Sequence, residues 1–127
     1  MEYVAIVIVI TLIEYIIFSI LVGRARVKYN CPAPLISGNP VFERYYRVHQ
    51  NTMEQLVVFL PAIVLYGYYG NPVIAAVVGL IFPVARVVYL LTYVSNPDKR
   101  GWGFLPGFLA IFYLLIAGLV AAASSVM

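Results

Sequence analysis

The stretch Glu43-Arg44-Tyr45-Tyr46-Arg47-Val48-His49-Gln50-Asn51-Thr52-Met53-Glu54 runs without a break into Gln55-Leu56-Val57-Val58-Phe59-Leu60-Pro61-Ala62-Ile63-Val64-Leu65. The first half holds two acids, two arginines, a histidine and two amides, and the second is apolar enough to lie in lipid. A spanning helix takes about 20 residues, and the apolar stretch Leu56–Tyr69 is shorter than that. Its helix must therefore begin inside the polar run, near Phe42 or Glu43. Length alone draws these groups towards the bilayer, where ionisable side chains are expensive and mark ligand, ion or proton sites.

Three longer apolar stretches surround it: Tyr3–Val22, Val73–Val94 and Phe104–Val126. The 127 residues are 64% hydrophobic and 10% charged, with a mean hydropathy of +0.97. A soluble domain carries about a quarter charged residues. The pattern predicts an all-α, integral membrane four-helix bundle. It forms a single domain over residues 1–127, with helices at about 2–26, 42–69, 72–95 and 103–126. The apolar runs are continuous, unlike the alternating segments of a membrane barrel. The first segment has an acidic start, Glu2, and no small-residue cleavage site after it, so it reads as a mature helix and not a signal peptide.

Basic residues set the expected orientation. Arg24, Arg26, Lys28, Arg44 and Arg47 lie in or beside the first loop, and Lys99 and Arg100 lie in the third. The second loop, Gly70-Asn71-Pro72, has none. Loops one and three are therefore expected in the cytoplasm, with both termini on the far side. The net charge of +3 follows from this bias and does not indicate nucleic-acid binding. Cys31 is the single cysteine, so no intrachain disulfide can form. His49 has no metal-ligand partner in spacing, and no phosphate loop, Ser-His-Asp set or zinc spacing occurs, so no metal site is expected.

At 100° per residue, Glu43, Arg47, Asn51 and Glu54 fall within an arc of about 80° on the second helix. On the third, Arg86, Tyr89 and Tyr93 fall within about 60°, and a further turn would bring Arg100 to the same side. Arg26 lies on a row with Ser19 and Gly23 towards the end of the first helix. Measured from the basic end, Glu54, Arg86 and Glu14 lie at depths of about 16, 15 and 14 Å. Equal depth suggests a Glu54–Arg86 ion pair, with Glu14 joining it or staying protonated. Helical glue accounts for Glu54, Asn51 and Arg86 about as well as a ligand site does. For Arg26, Arg44, Arg47 and Arg100 the alternatives are snorkelling, anionic lipid, or convergence on one anionic ligand. The fourth helix is apolar all round and is expected to face lipid or other helices.

Two motifs carry a resemblance. One is Pro34-Leu35-x-x-Gly38-x-Pro40-x-Phe42-Glu43-Arg44-x-Tyr46-Arg47-x-x-x-Asn51-x-x-Glu54. The other is Ala85-Arg86-x-x-Tyr89-x-x-x-Tyr93, seven residues before Arg100. On a four-helix apolar frame, the chain resembles the MAPEG family, the membrane-associated proteins of eicosanoid and glutathione metabolism. The resemblance covers nearly the whole chain and is closest to the leukotriene-forming and microsomal glutathione transferase branch.

The resemblance implies a homotrimer with sites between subunits, open to the cytoplasm. It implies a glutathione transferase that conjugates the thiolate to a hydrophobic or lipid electrophile arriving through membrane lipids, with possible reduction of lipid hydroperoxides. Glutathione is then a cosubstrate. By position, Arg26, Arg47, Asn51, Glu54, Arg86, Tyr89 and Tyr93 match the glutathione-binding region, and Arg100 matches the catalytic arginine that faces the sulfur. The alternatives are a non-enzymatic lipid-binding member and, further off, a proton-coupled transporter using Glu14. Departures are Val27 where a second arginine follows, His49 for a glutamine and Gln55 for a tyrosine. They bear on the electrophile more than on glutathione.

Overall fold

The computed structural model describes all 127 residues. Helices α1 (Glu2–Lys28), α2 (Pro40–Tyr69), α3 (Pro72–Ser95) and α4 (Gly101–Val126) form the bundle, and a 3-10 turn, Pro97–Lys99, joins the last two. No strand is present. The helices continue through Pro61, Pro83 and Pro106.

Three Asn-Pro pairs start helical elements by the same chemistry. The Asn39 side chain accepts from the amides of Val41 (2.9 Å) and Phe42 (3.1 Å), and Asn71 accepts from Val73 (2.9 Å) and Ile74 (3.1 Å). Proline at the first helical position has no N–H to leave unsatisfied. Helix α2 therefore starts at Pro40, two residues before the expected Phe42. Asn96 accepts from the Asp98 amide (3.3 Å) and sets the 3-10 turn, so α4 begins at Gly101 and not at 103. Helix α1 runs to Lys28, two residues past the expected Arg26. Asn39→Ala should cost about 1 kcal/mol of stability, read as a lowered melting temperature in detergent; an unchanged melt would show that the cap contributes nothing.

The main core joins all four helices. Val4 and Val7 of α1 join one cluster with Phe59 and Ile63 of α2, Ala75 and Phe82 of α3, and Ile111 and Leu114 of α4. The Phe59 and Phe82 rings stack at 4.4 Å. The outer surface is as apolar as the inside: Ile6, Ile13 and Ile20 on α1, Val77, Val84 and Leu91 on α3, and Leu109 and Leu119 on α4 are all exposed. Outward apolar faces of this extent fit lipid and not water. α1, α3 and the segment Pro97–Val126 are long and apolar enough to cross a membrane, and the chain is an integral membrane protein. α2 is 30 residues long and carries the polar run in its first half. Met1 packs beside Gly67, so the N-terminus lies at the α2–α3 turn and the basic loops lie at the opposite end.

Candidate functional site

At the basic end, the start of α2 crosses the end of α3. The Arg44 guanidinium ties the two by donating to the Val94 carbonyl (2.9 Å). Between these helices and the first turn of α4 opens a cavity of about 790 Å³. Arg47 and Asn51 line it from α2, and Tyr89 and Tyr93 from α3. Asp98 of the 3-10 turn and Arg100, Gly101 and Phe104 complete the wall. Five of the eight residues singled out from the sequence thus share one cavity, Arg100 among them. Arg100 is held in place by its own turn, donating to the Pro97 carbonyl (3.0 Å). Tyr89 packs against Tyr93 (5.4 Å between ring centroids) and Phe104 (6.1 Å).

The other three are placed differently. Arg86 lies behind the wall, 1% exposed. Its Nε and one terminal nitrogen donate to the Thr52 hydroxyl (3.2 and 2.8 Å), and that nitrogen also donates to Asn51 Oδ1 (2.9 Å). The guanidinium stacks over the Tyr89 ring at 4.1 Å. Thr52 in turn donates to the Val48 carbonyl (2.7 Å). Arg86 thus fixes two side chains of the wall without lining the cavity itself.

Glu54 forms an ion pair with Arg47 at 3.4 Å, and both side chains are about half exposed, at 50% and 52%. The expected Glu54–Arg86 pair does not form. Depth along the bundle was the right coordinate, but direction decides: Glu54 and Arg47 lie within about 20° of each other on the outer side of α2, while Arg86 reaches its inner side.

Arg26 is apart from the cavity. Its guanidinium donates to the carbonyls of Cys31 (3.1 Å) and Leu35 (2.5 Å) and lies over Phe42 at 4.9 Å and Tyr46 at 5.9 Å. Phe42 and Tyr46 sit roughly 140° around α2 from Arg47 and Asn51. Within one chain, Arg26 does not share a cavity with the other arginines, whereas Arg47 and Arg100 line the same one.

Sequence reasoning missed Thr52, Asp98 and the first turn of α4. Thr52 lies about 100° off the polar face of α2, and a lone threonine in a membrane helix reads as small and neutral. Asp98 was visible as the one acid beside Lys99 and Arg100. α4, expected to avoid polar groups, brings Gly101 and Phe104 into the cavity, because the 3-10 turn ends where α4 starts. Chemically, the cavity offers two guanidiniums, a carboxylate, an amide and two phenols. Its volume is in the range that holds a small-molecule ligand, and its charges suit one with more anionic than cationic groups.

The chain matches the model of the MAPEG family over residues 4–120. It is 40% identical over 107 residues to an uncharacterized protein of Synechocystis sp., covering 84% of this chain and 78% of that one. It is 33% identical over 108 residues to human microsomal glutathione S-transferase 2, covering 85% and 74%. Leukotriene C4 synthase of Cavia porcellus is 35% identical over 83 residues, covering 65% and 55%.

Proposed function

The chain belongs to the MAPEG family, and we propose that it is a membrane-bound glutathione transferase working at the Arg47–Arg100 cavity. The observation that carries this reading is the convergence of these two guanidiniums, from α2 and the start of α4, on one cavity at the basic end. The similarity to microsomal glutathione S-transferase 2 supports it.

Glutathione has two carboxylates, one ammonium and a thiol. Arg47, held by Glu54, takes a carboxylate. Asn51 and the hydroxyls of Tyr89 and Tyr93 supply hydrogen bonds along the peptide. Arg86 holds Asn51 from behind. Arg100 faces the sulfur. A free thiol has a pKa of about 8.5, and only the thiolate is a good nucleophile. A guanidinium beside the sulfur favours the charged form, so the proton leaves to solvent at the cavity mouth. The thiolate then attacks an electrophilic carbon of an apolar substrate, forming a C–S bond as the leaving group departs or an epoxide C–O bond opens. With a lipid hydroperoxide, two glutathiones would give the disulfide, the lipid alcohol and water.

Arg26 faces away from the cavity of its own chain. In a homotrimer with sites between subunits, the Arg26 face of one subunit closes the open side of the next one's cavity. The excess of basic residues in loops one and three supports a cytoplasmic position for them and for the cavity mouth. The electrophile enters from the bilayer.

The test is to titrate the purified protein in detergent with glutathione and follow thiolate absorbance in the ultraviolet, alongside conjugation of a small chloronitroarene. Thiolate at pH 7 and conjugate formation are expected. Binding with no thiolate and no conjugate would overturn the reading.

A further inference from the structure

Arg86 is buried to 1% exposure, yet its hydrogen bonds run to neutral groups, the Thr52 hydroxyl and the Asn51 amide. A guanidinium held in a low-dielectric interior calls for a compensating anion nearby. The chain has five acids. Glu2 pairs with the N-terminal ammonium at the opposite end of the bundle. Glu43 lies eight residues before Asn51, about 12 Å along α2. Glu54 is engaged by Arg47, and Asp98 sits in the 3-10 turn at the cavity. Glu14 remains. It lies on α1, which packs against both α2 and α3. Its Oε1 is buried and has no hydrogen-bond partner. Phe18 of α1, Val48 of α2 and Tyr89 of α3 pack together, and about one turn from each, towards the α2–α3 turn, lie Glu14, Thr52 and Arg86; Glu14 and Arg86 form no direct ion pair. A cation without an anion and a carboxylate oxygen without a donor thus lie at one level among the same helices, where buried orphans are rare.

We propose that Glu14 is the counter-ion of Arg86, and that through Arg86 it positions the Asn51 amide at the cavity. The Asn51 Oδ1 is committed inward by accepting from Arg86 (2.9 Å). Its NH2 group is thereby left as the donor on the cavity wall. Without the carboxylate, the guanidinium loses the charge that holds it in the interior, and the Asn51 amide is free to turn. The pairing stands on the packing alone; the consequence for the ligand rests on the glutathione reading.

The experiment is a double-mutant cycle with two readouts: thermal melting in detergent, and glutathione affinity by calorimetry. E14Q is expected to lower the melting temperature and to raise the glutathione Kd about tenfold, equivalent to about 1.4 kcal/mol. E14D keeps the charge and should stay near wild type in both. In an R86M background, E14Q should add nothing further to either readout. Fully additive effects of E14Q and R86M would overturn the pairing. A lowered melt with wild-type Kd in E14Q would overturn the positioning role. If R86M does not fold, the comparison of E14D with E14Q decides, and equal losses would overturn the proposal. If wild-type protein binds no glutathione, the transferase reading fails while the melting cycle still decides the pairing.

Discussion

Arg100→Ala is expected to lower glutathione conjugation about 25-fold at pH 7. The figure follows from a thiol pKa held about two units below its free value of about 8.5, worth about 2.7 kcal/mol. At pH 7 a thiol of pKa about 6.5 is mostly thiolate, whereas one of about 8.5 is about 3% thiolate. The loss should therefore shrink as pH rises and nearly vanish above about pH 9, where the free thiol ionises unaided. Arg100→Lys keeps a cation and should retain part of the activity. The Arg100 side chain is tied to its own turn through the Pro97 carbonyl and buries no core surface, so the alanine variant should melt like wild type. Conjugation rate against pH, with thiolate absorbance in parallel, checks it. A loss that stays constant across pH would mean that Arg100 acts on something other than the sulfur.

Gly103→Ala should break the seam between α3 and α4. A Cβ at position 103 would come within 2.7 Å of the Ala85 carbonyl oxygen and closer still to the backbone nitrogen and Cα of Tyr89. These are backbone atoms of a packed helix and cannot swing aside as a side-chain tip can. The two helices must separate, at a cost of about 3 kcal/mol or more. The displacement also reaches the site, because Gly101 and Phe104 on one side of the seam and Tyr89 on the other line the cavity. A lower melting temperature and weaker glutathione binding are both expected. Gly107→Ala, four residues on, is the control: its added Cβ would meet Ala85 Cβ at an ordinary 3.4 Å, so its effect should be far smaller. Similar melts for the two variants would show that α4 does not depend on the close approach at Gly103.

Much of the architecture was readable because membrane helices are written in length and polarity. Four stretches too apolar for water, joined by Asn-Pro and Gly-Asn-Pro turns, admit little other than a helical bundle. The Asn-Pro pairs set the starts of α2 and α3 through local hydrogen bonds that need no tertiary partner. The same locality made the polar face of α2 legible: helical spacing put Arg47 and Glu54 side by side, and they pair. The motifs around Asn51, Tyr89 and Arg100 pointed to the family by resemblance, and the chain belongs to it.

Cross-helix partners were not readable. A sequence supplies each side chain's depth and azimuth on its own helix, but not the rotation of one helix against the next. That rotation is set by interdigitation of core residues such as Phe59 with Phe82 and by close approaches such as Gly103 to Tyr89. It turned Arg86 towards Thr52 and Asn51 instead of Glu54, and left a buried Glu14 oxygen without a hydrogen-bond donor. It also put Arg26 and Arg47 on different sides of α2's start. The amino-acid sequence by itself determined that this chain is a four-helix membrane protein with a polar, arginine-rich end, because burial in lipid and local capping act on each segment alone. Only the tertiary structure decided which of those polar groups share a cavity and which hold one another, because that depends on how the helices pack.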